Sequence, residues 1–352
     1  MRKLKVVVCG TGFGRYYIEA LCRLTDIYEI TGIFARGSSR SRKYAKDLGV
    51  PFYTSLSDMD DKKIDLACVV IKSLITGGKG TDIAQYFLNR GVNVLQEHPV
   101  HYNDYAMHVS TARKNGCMYR LNAFYNNVEP VYKFIETAEK LRNTADFTYL
   151  KAECGIQILF PLVDIIGRVM GGFRPWKLNI LNEDSNQEPF AVITGEIKSV
   201  SVIILIKNEM DSSAPESNMS VLHRITLGTS KGTLLLTDVH GAVLWTSVIH
   251  EELKDREKST DIYDIPVQER VNDDKAYNLG QIVDEMWPES VCRSLREYYK
   301  IITESGNMSK EHQHFLFACQ MWNDIGKMIG GYHSVKIKTE RPVSLSDIIG
   351  AE

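Results

Sequence analysis

The chain has 352 residues with 42 Lys+Arg against 44 Asp+Glu, a formal net charge of −2. That length supports two domains with full cores, and the near-neutral balance excludes a global basic field for nucleic acid or an anionic membrane. Seven cysteines, irregularly spaced and without a C-x-x-C pair, argue against a disulfide framework or zinc site, while Val6–Cys9 is too short for a signal-peptide core and Val202–Ile206 has strand length; the expectation is a soluble, reduced, cytoplasmic protein.

Leu4–Tyr17 (LKVVVCGTGFGRYY) reads as an apolar strand running through a glycine-rich turn into a helix. Such a unit sets backbone N–H groups and a helix N-terminus against a pyrophosphate, so Gly10, Thr11, Gly12, Phe13 and Gly14 are candidate phosphate-loop residues. Gly10 and Gly12 fill the first two positions of G-x-G-x-x-G. The third falls on Arg15, with Gly14 one residue early, which predicts a displaced helix start.

Glu29–Phe34 reads as the second strand. Binders of NAD usually carry Asp or Glu at its end, on the ribose 2′-OH. Here the segment reads Ala35, Arg36, Gly37, Ser38, Ser39, Arg40, Ser41, Arg42. A carboxylate would repel a 2′-phosphate, whereas guanidinium and hydroxyl donors would hold one. The segment predicts NADPH as cofactor.

Alternation of strand and helix continues to about residue 125, through a helix at Ser41–Leu48, strands at Val50–Tyr53 and Ile64–Ile71, and a helix at Gly80–Arg90. A strand at Asn93–Gln96, a helix at Asp104–Lys114 and a strand at Met118–Ala123 complete it. This predicts a Rossmann-type doubly wound parallel sheet over residues 1–126. After a helix at Val128–Leu141 the pattern changes to strands. Phe147–Ile158 looks extended, Phe190–Lys207, Ser220–Leu227, Gly232–Asp238 and Ala242–Ile249 alternate, and Lys207–Asn218 (KNEMDSSAPESN) reads as a hairpin loop or flap. Residues 127–352 are expected to form an α+β domain with a largely antiparallel open sheet for substrate binding and oligomerisation. Its last helices, near Ser290–Glu304 and Lys310–Ile329, carry apolar residues at helical spacing as packing elements, and this C-terminal segment is expected to pack back on the first domain.

Ligands of parallel sheets sit at the carboxyl ends of the strands. Lys72–Thr81 (KSLITGGKGT), Glu97–His101 (EHPVH) and Phe124–Asn127 (FYNN) follow three such ends and are expected to bring Ser73 or Thr76, His98 and Tyr125 to one crevice. Ile71, Lys72, Ser73 and Glu97 are candidate cofactor contacts. Reduction of a C=O or C=N bond needs a donor that neutralises the heteroatom, and His98 or Tyr125 could supply the proton. Asp164, within Phe160–Gly167, faces the cleft or caps a helix. His312 and His314, at i, i+2, point to different sides of a helix, which disfavours a metal pair, and no metal is expected.

The Gly loop, Glu97–His98–Pro99 and the alternating second half resemble the Gfo/Idh/MocA oxidoreductases. Most members carry Glu-Lys-Pro, and an Asp-x-x-x-His pair in the second domain. This chain has His98 for the lysine, and Pro161–Asp164 lacks the expected histidine. The Gly-Gly-x-Gly-Thr loop with Gln96–Glu97–His98–Pro99 and Phe124–Tyr125 resembles one branch more closely, the thiazolinyl imine reductases of siderophore assembly lines. That resemblance implies NADPH-dependent reduction of a thiazoline C=N to a thiazolidine on an intermediate carried by a nonribosomal peptide synthetase carrier protein, with the proton from His98 or Tyr125. It also implies a homodimer. The alternatives are another Gfo/Idh/MocA-type dehydrogenase of a sugar or small carbonyl, for which lysine at position 98 would be expected, and a non-enzymatic NADP-sensing regulator.

Overall fold

A computed structural model describes residues 2–73, 78–181, 188–214, 219, 221–249, 264–304, 306–338 and 341–350. The first sheet holds β1 (Leu4–Cys9), β2 (Tyr28–Phe34), β3 (Phe52–Tyr53), β4 (Leu66–Val69), β5 (Asn93–Glu97) and β6 (Tyr119–Asn122), all parallel in the order β3-β2-β1-β4-β5-β6. Between them run α1 (Gly14–Arg23), α2 (Ser39–Leu48), α3 (Gly80–Asn89) and α4 (Tyr102–Lys114). Val6–Cys9 and all of β4 are buried, as befits central strands covered on both faces. The chain order reverses between β1 and β4, where such sheets open a ligand crevice.

The second sheet has eight strands: β7 (Phe147–Gly155), β8 (Trp176–Ile180), β9 (Phe190–Ile197), β10 (Val200–Lys207), β12 (His223–Thr229), β13 (Gly232–Leu236), β14 (Val243–Ser247) and β15 (Gln268–Arg270). The short β11 (Glu209–Met210) lies outside it. Every pairing is antiparallel except β7 with β10, so the sheet is mixed and mostly antiparallel. Along β10, Val202, Ile204 and Ile206 are buried while Ser201 and Ile203 are exposed, the period-2 signature of a sheet with one face packed and one open. On the packed side lie α5 (Glu129–Leu141) and α6 (Leu159–Val169).

Two elements differ from the sequence expectation. Ile156–Ile158 is a 3-10 turn that leads into α6 rather than the end of a strand. Nearly every residue of α6 is buried, Asp164 included. Lys207–Asn218 is not a hairpin loop, because β10 and β12 lie on opposite sides of β7. Within it, β11 pairs in parallel with β16 (His333–Ser334) near the C-terminus. Residues 215–218 of that segment lie outside the described residues.

The helices α7 (Trp287–Thr303) and α8 (Ser309–Ile329) lie against the first sheet. Tyr28 Oη donates to the Leu295 carbonyl at 2.8 Å, and Tyr298 Oη reaches the Met118 carbonyl at 2.8 Å. The buried Arg120 of β6 pairs with Glu297 at 2.5 Å and Glu311 at 2.9 Å. Those two carboxylates offset the cost of burying the guanidinium and fix both helices across the edge of β6.

Candidate active site

The glycine loop meets the requirements of a phosphate cradle. Gly10 has φ +95°, and a Cβ there would stand 2.4 Å from the Val70 carbonyl oxygen and 2.9 Å from Ile71 Cγ1. Only glycine tolerates both constraints. A Cβ at Gly12 would meet nothing within 4 Å, so a pyrophosphate has room to approach the backbone. α1 starts at Gly14, directly after Phe13, with no side-chain cap and no acid in its first turn. Its first N–H groups are therefore open to an anion. The early third glycine costs little, since a Cβ at Gly14 would make ordinary 3.5 Å contact with Val70. Thr11 is buried in the loop. Phe13 packs edge-on to Phe124 with centroids 4.9 Å apart and lies 6.2 Å from Trp287.

At the end of β2, Ala35 is fixed by its N–H to the Tyr53 carbonyl at 3.1 Å. Arg36, Ser39 and Arg40 are exposed, and α2 has no acid in its first turn. Ser38 is its N-cap: its Oγ accepts from the Ser41 N–H at 3.2 Å and lies 2.9 Å from Ser41 Oγ. The hydroxyl of Ser38 is thus engaged in capping, while Arg36, Ser39 and Arg40 keep their donors available. Together with the loop, this set suits a dinucleotide bearing a 2′-phosphate.

Ile71 abuts Gly10, as above. The carbonyls of Lys72 and Ser73 accept from the N–H groups of Gly80 and Gly78, both at 2.9 Å. A Cβ at Gly78 would fall 2.1 Å from the Lys72 oxygen, and one at Gly80 2.2 Å from the Ile71 oxygen. The glycines of this loop permit that close return onto β4. Ser73 is buried, and Thr76 lies outside the described residues.

The strand ends of β4, β5 and β6 are adjacent, and the latter two deliver His98 and Tyr125. His98 precedes a cis peptide to Pro99. Its Nδ1 lies 3.0 Å from the Asn122 carbonyl oxygen and 2.9 Å from Glu97 Oε1. Both neighbours are acceptors, so the network assigns the ring hydrogen to Nδ1. The imidazole stacks on Phe160 of α6, with centroids 5.7 Å apart and planes 14° from parallel, and Phe160 meets Trp322 edge-on. Glu97 is held in turn by the Tyr17 hydroxyl, which donates to Oε2, and by Asn122 Nδ2 at 3.1 Å.

Tyr125 opens a 3-10 turn (Tyr125–Asn127) after Phe124, whose φ of +54° and ψ of −65° are costly for a residue with a Cβ. Contacts of Phe124 with Phe13, Tyr125 and Trp287 hold it there. The Tyr125 ring stands edge-on to His223 of β12, with centroids 5.0 Å apart. His223 is buried, donates from Nε2 to the Ile158 carbonyl at 3.0 Å, and has its pKa lowered to about 4, by burial first and then by the nearby His98 and His240. It is neutral at physiological pH. His240, also lowered to about 4 by burial, accepts the Trp287 indole N–H at 3.0 Å. Trp287 thereby joins the glycine loop, the Tyr125 turn and the second sheet.

Asp164 caps no helix. It is buried within α6, with both carboxylate oxygens 3.0 Å from Arg168 Nε and Oδ1 2.7 Å from His314 Nε2. Burial raises its pKa, but Arg168 and the hydrogen bond from His314 outweigh that and hold it down to about 2. An Asp–His pair therefore does form in the second domain. Arg168 occupies the i+4 position, and the histidine comes from α8. His312 turns elsewhere, donating from Nε2 to the Tyr119 carbonyl at 3.0 Å. Asn122 and His223 go unnoticed in the sequence, Tyr17 reads only as the end of the fingerprint segment and His314 only as half of a disfavoured metal pair, since each takes its role from pairing of distant segments.

No helix among the described residues is long and apolar enough to cross a membrane. Among solved structures, the chain is similar to levoglucosan dehydrogenase in complex with NADH and levoglucosan, at 9% identity and TM-score 0.69 over 94% of this chain and 98% of that one. It is also similar to biliverdin reductase from Synechocystis sp. PCC 6803 in complex with biliverdin and NADP+, at 12% identity and TM-score 0.65 over 93% and 99%. A curated relative, trans-1,2-dihydrobenzene-1,2-diol dehydrogenase of Xenopus tropicalis, is 23% identical over 170 residues, 47% of this chain. The match spans only half the length of that relative. Residues 4–123 match the oxidoreductase family model GFO_IDH_MocA, NAD-binding Rossmann fold, and residues 145–246 match the model described as thiazolinyl imine reductase Irp3-like, C-terminal. Residues 4–123 thus form an NAD(P)-binding Rossmann domain of the Gfo/Idh/MocA oxidoreductase family, and residues 145–246 belong to a C-terminal domain of the thiazolinyl imine reductase type.

Proposed function

We propose that the protein is an NADPH-dependent imine reductase that converts a thiazoline C=N bond to a thiazolidine on a siderophore intermediate tethered to a carrier protein. The observation that carries this reading is the Irp3-like match over residues 145–246, which supply His223 beside Tyr125 and Phe160 against His98. NADPH, when bound, supplies the hydride. Gly10–Gly14 and the first turn of α1 hold its pyrophosphate, and Arg36, Ser39 and Arg40 its 2′-phosphate.

His98 supplies the proton for the ring nitrogen from Nε2, because Nδ1 is committed to Glu97 and the Asn122 carbonyl. An imine nitrogen grows more basic as it is reduced, so an imidazolium suffices as acid where a polyol carbon would call for an activated lysine. Tyr125 is the second donor, aimed by the strained Phe124. Phe160, Trp322 and the neutral His223 line an apolar wall suited to a flat heterocycle and keep water from the reacting atoms. The exposed Tyr149 and Ile203 on the open sheet face support a homodimer through that face. A cytoplasmic location fits the reduced cysteines.

The test is NADPH absorbance in the presence of a synthetic thiazoline thioester, run beside polyols with NADP+. Steady thiazoline-dependent oxidation with thiazolidine product, cut at least tenfold in His98→Gln with unchanged NADPH affinity, supports the reading. Turnover of polyols alone overturns it.

A further inference from the structure

The proton donor is the last member of a chain of contacts that starts in the cofactor domain. Tyr17, on the buried side of α1, donates to Glu97 Oε2. Asn122 Nδ2 donates both to Tyr17 Oη at 2.5 Å and to Glu97 Oε2 at 3.1 Å. The orientation of that amide is fixed at its other end, where Oδ1 accepts from Ser294 Oγ at 3.2 Å. Glu97 Oε1 is left for His98 Nδ1 at 2.9 Å, with both side chains about a tenth exposed. Two hydrogen bonds thus hold one carboxylate at the base of the imidazole, whose Nδ1 hydrogen-bonds the Asn122 carbonyl alongside.

We propose that Glu97, held by Tyr17 and Asn122, is the positioning residue of this site: with the Asn122 carbonyl that takes the Nδ1–H bond, it keeps His98 as the Nδ1–H tautomer, so that Nε2 is the nitrogen that hands over the proton. This rests on His98 being the donor in the reading above. A carboxylate beside one ring nitrogen fixes the tautomer and favours the charged form. In the step itself the Nε2–H bond breaks and an N–H bond forms on the substrate ring. The imidazole is left neutral with Nδ1–H still on its acceptors, and solvent restores the proton between turnovers.

The other groups around His98 do not compete for this role. Phe160 and Trp322 from α6 and α8 are uncharged. His223 from β12 is kept neutral by burial. Asp164, one turn along α6 from Phe160, is already neutralised by Arg168 and His314. Tyr17, buried and beside Glu97, has its pKa raised well above its usual value, which keeps its proton on the oxygen. Glu97 is the one anion against the ring.

The experiment is histidine 15N NMR of the intact apoprotein over pH, with His98 assigned by its loss in His98→Gln, in wild type, Glu97→Gln and Glu97→Asp. Expected in wild type is the Nδ1–H tautomer when neutral. In Glu97→Gln the neutral ring should shift toward Nε2–H, and Glu97→Asp should restore part of the wild-type preference. With substrate, Glu97→Gln should lower kcat while leaving NADPH affinity within about twofold. A wild-type Nε2–H tautomer, an unshifted tautomer in a folded Glu97→Gln, or loss confined to NADPH binding overturns the proposal. The NMR readouts need no substrate, so they stand or fall apart from the thiazoline assay.

Discussion

Replacing Arg36 by alanine tests the proposed contact that would distinguish the two dinucleotides. The side chain is exposed at the end of β2, so its removal strands no buried partner and the fold should be unaffected. A charge-assisted contact contributes about 1.5–3 kcal/mol, and each decade of affinity is about 1.4 kcal/mol. Full loss would weaken NADPH by about 10- to 100-fold. Arg40, on the first turn of α2, remains and in the proposed site would share the phosphate, which places the expected loss near the lower figure. Screening should shrink it further as salt rises, because the site is open to solvent. NADH lacks the phosphate and should bind within about twofold of wild type. Isothermal titration of both dinucleotides at two ionic strengths measures all of this. Equal weakening of NADPH and NADH, or no change in either, would refute the assignment of this ledge to the 2′-phosphate.

Ser38 should behave differently from its neighbour. As the N-cap of α2 it engages Ser41, so Ser38→Ala should cost about 1 kcal/mol of stability in denaturant unfolding with NADPH affinity within about twofold; a larger binding loss than stability loss would contradict that division. Asp164 carries a pH signature. Its folded pKa of about 2 lies below the ordinary 3.8, so its contribution is fully present above the ordinary value and is lost as the pH falls toward about 2. A difference of that size corresponds to a few kcal/mol, on the order of 2 to 3. Asp164→Asn should be destabilised at neutral pH, where Arg168 loses its buried partner, and its stability should fall less steeply than wild type between pH 5 and 2. Parallel pH slopes for the two proteins would show that the pair does not carry the effect.

Much of the first domain could be read from the sequence because its signals are local. An apolar strand, glycines at the turn and a basic stretch at the next strand end lie within about forty residues, and the parallel sheet follows from the alternation. His98 and Tyr125 stood out for the same reason, each directly after a strand. Ser38 lies in the same segment, and the helix that starts beside it uses the hydroxyl as a cap. The extended reading of Phe147–Ile158 holds to Gly155 and fails at Ile156–Ile158, a 3-10 turn into α6 that a local apolar run does not announce.

The sequence alone determined which backbone can approach a pyrophosphate, that the second strand ends in cations rather than a carboxylate, and that a histidine stands where a lysine is usual. Tertiary structure alone decided what that histidine can do. Tyr17, Glu97 and Asn122 are separated by up to 105 positions and meet only because β1, β4, β5 and β6 pack side by side. The partner of Asp164 is a histidine 150 residues away rather than one helical turn on. Proton chemistry depends on distances of about 3 Å between atoms, and no spacing along a chain encodes such a distance once the contacts cross from one element to another.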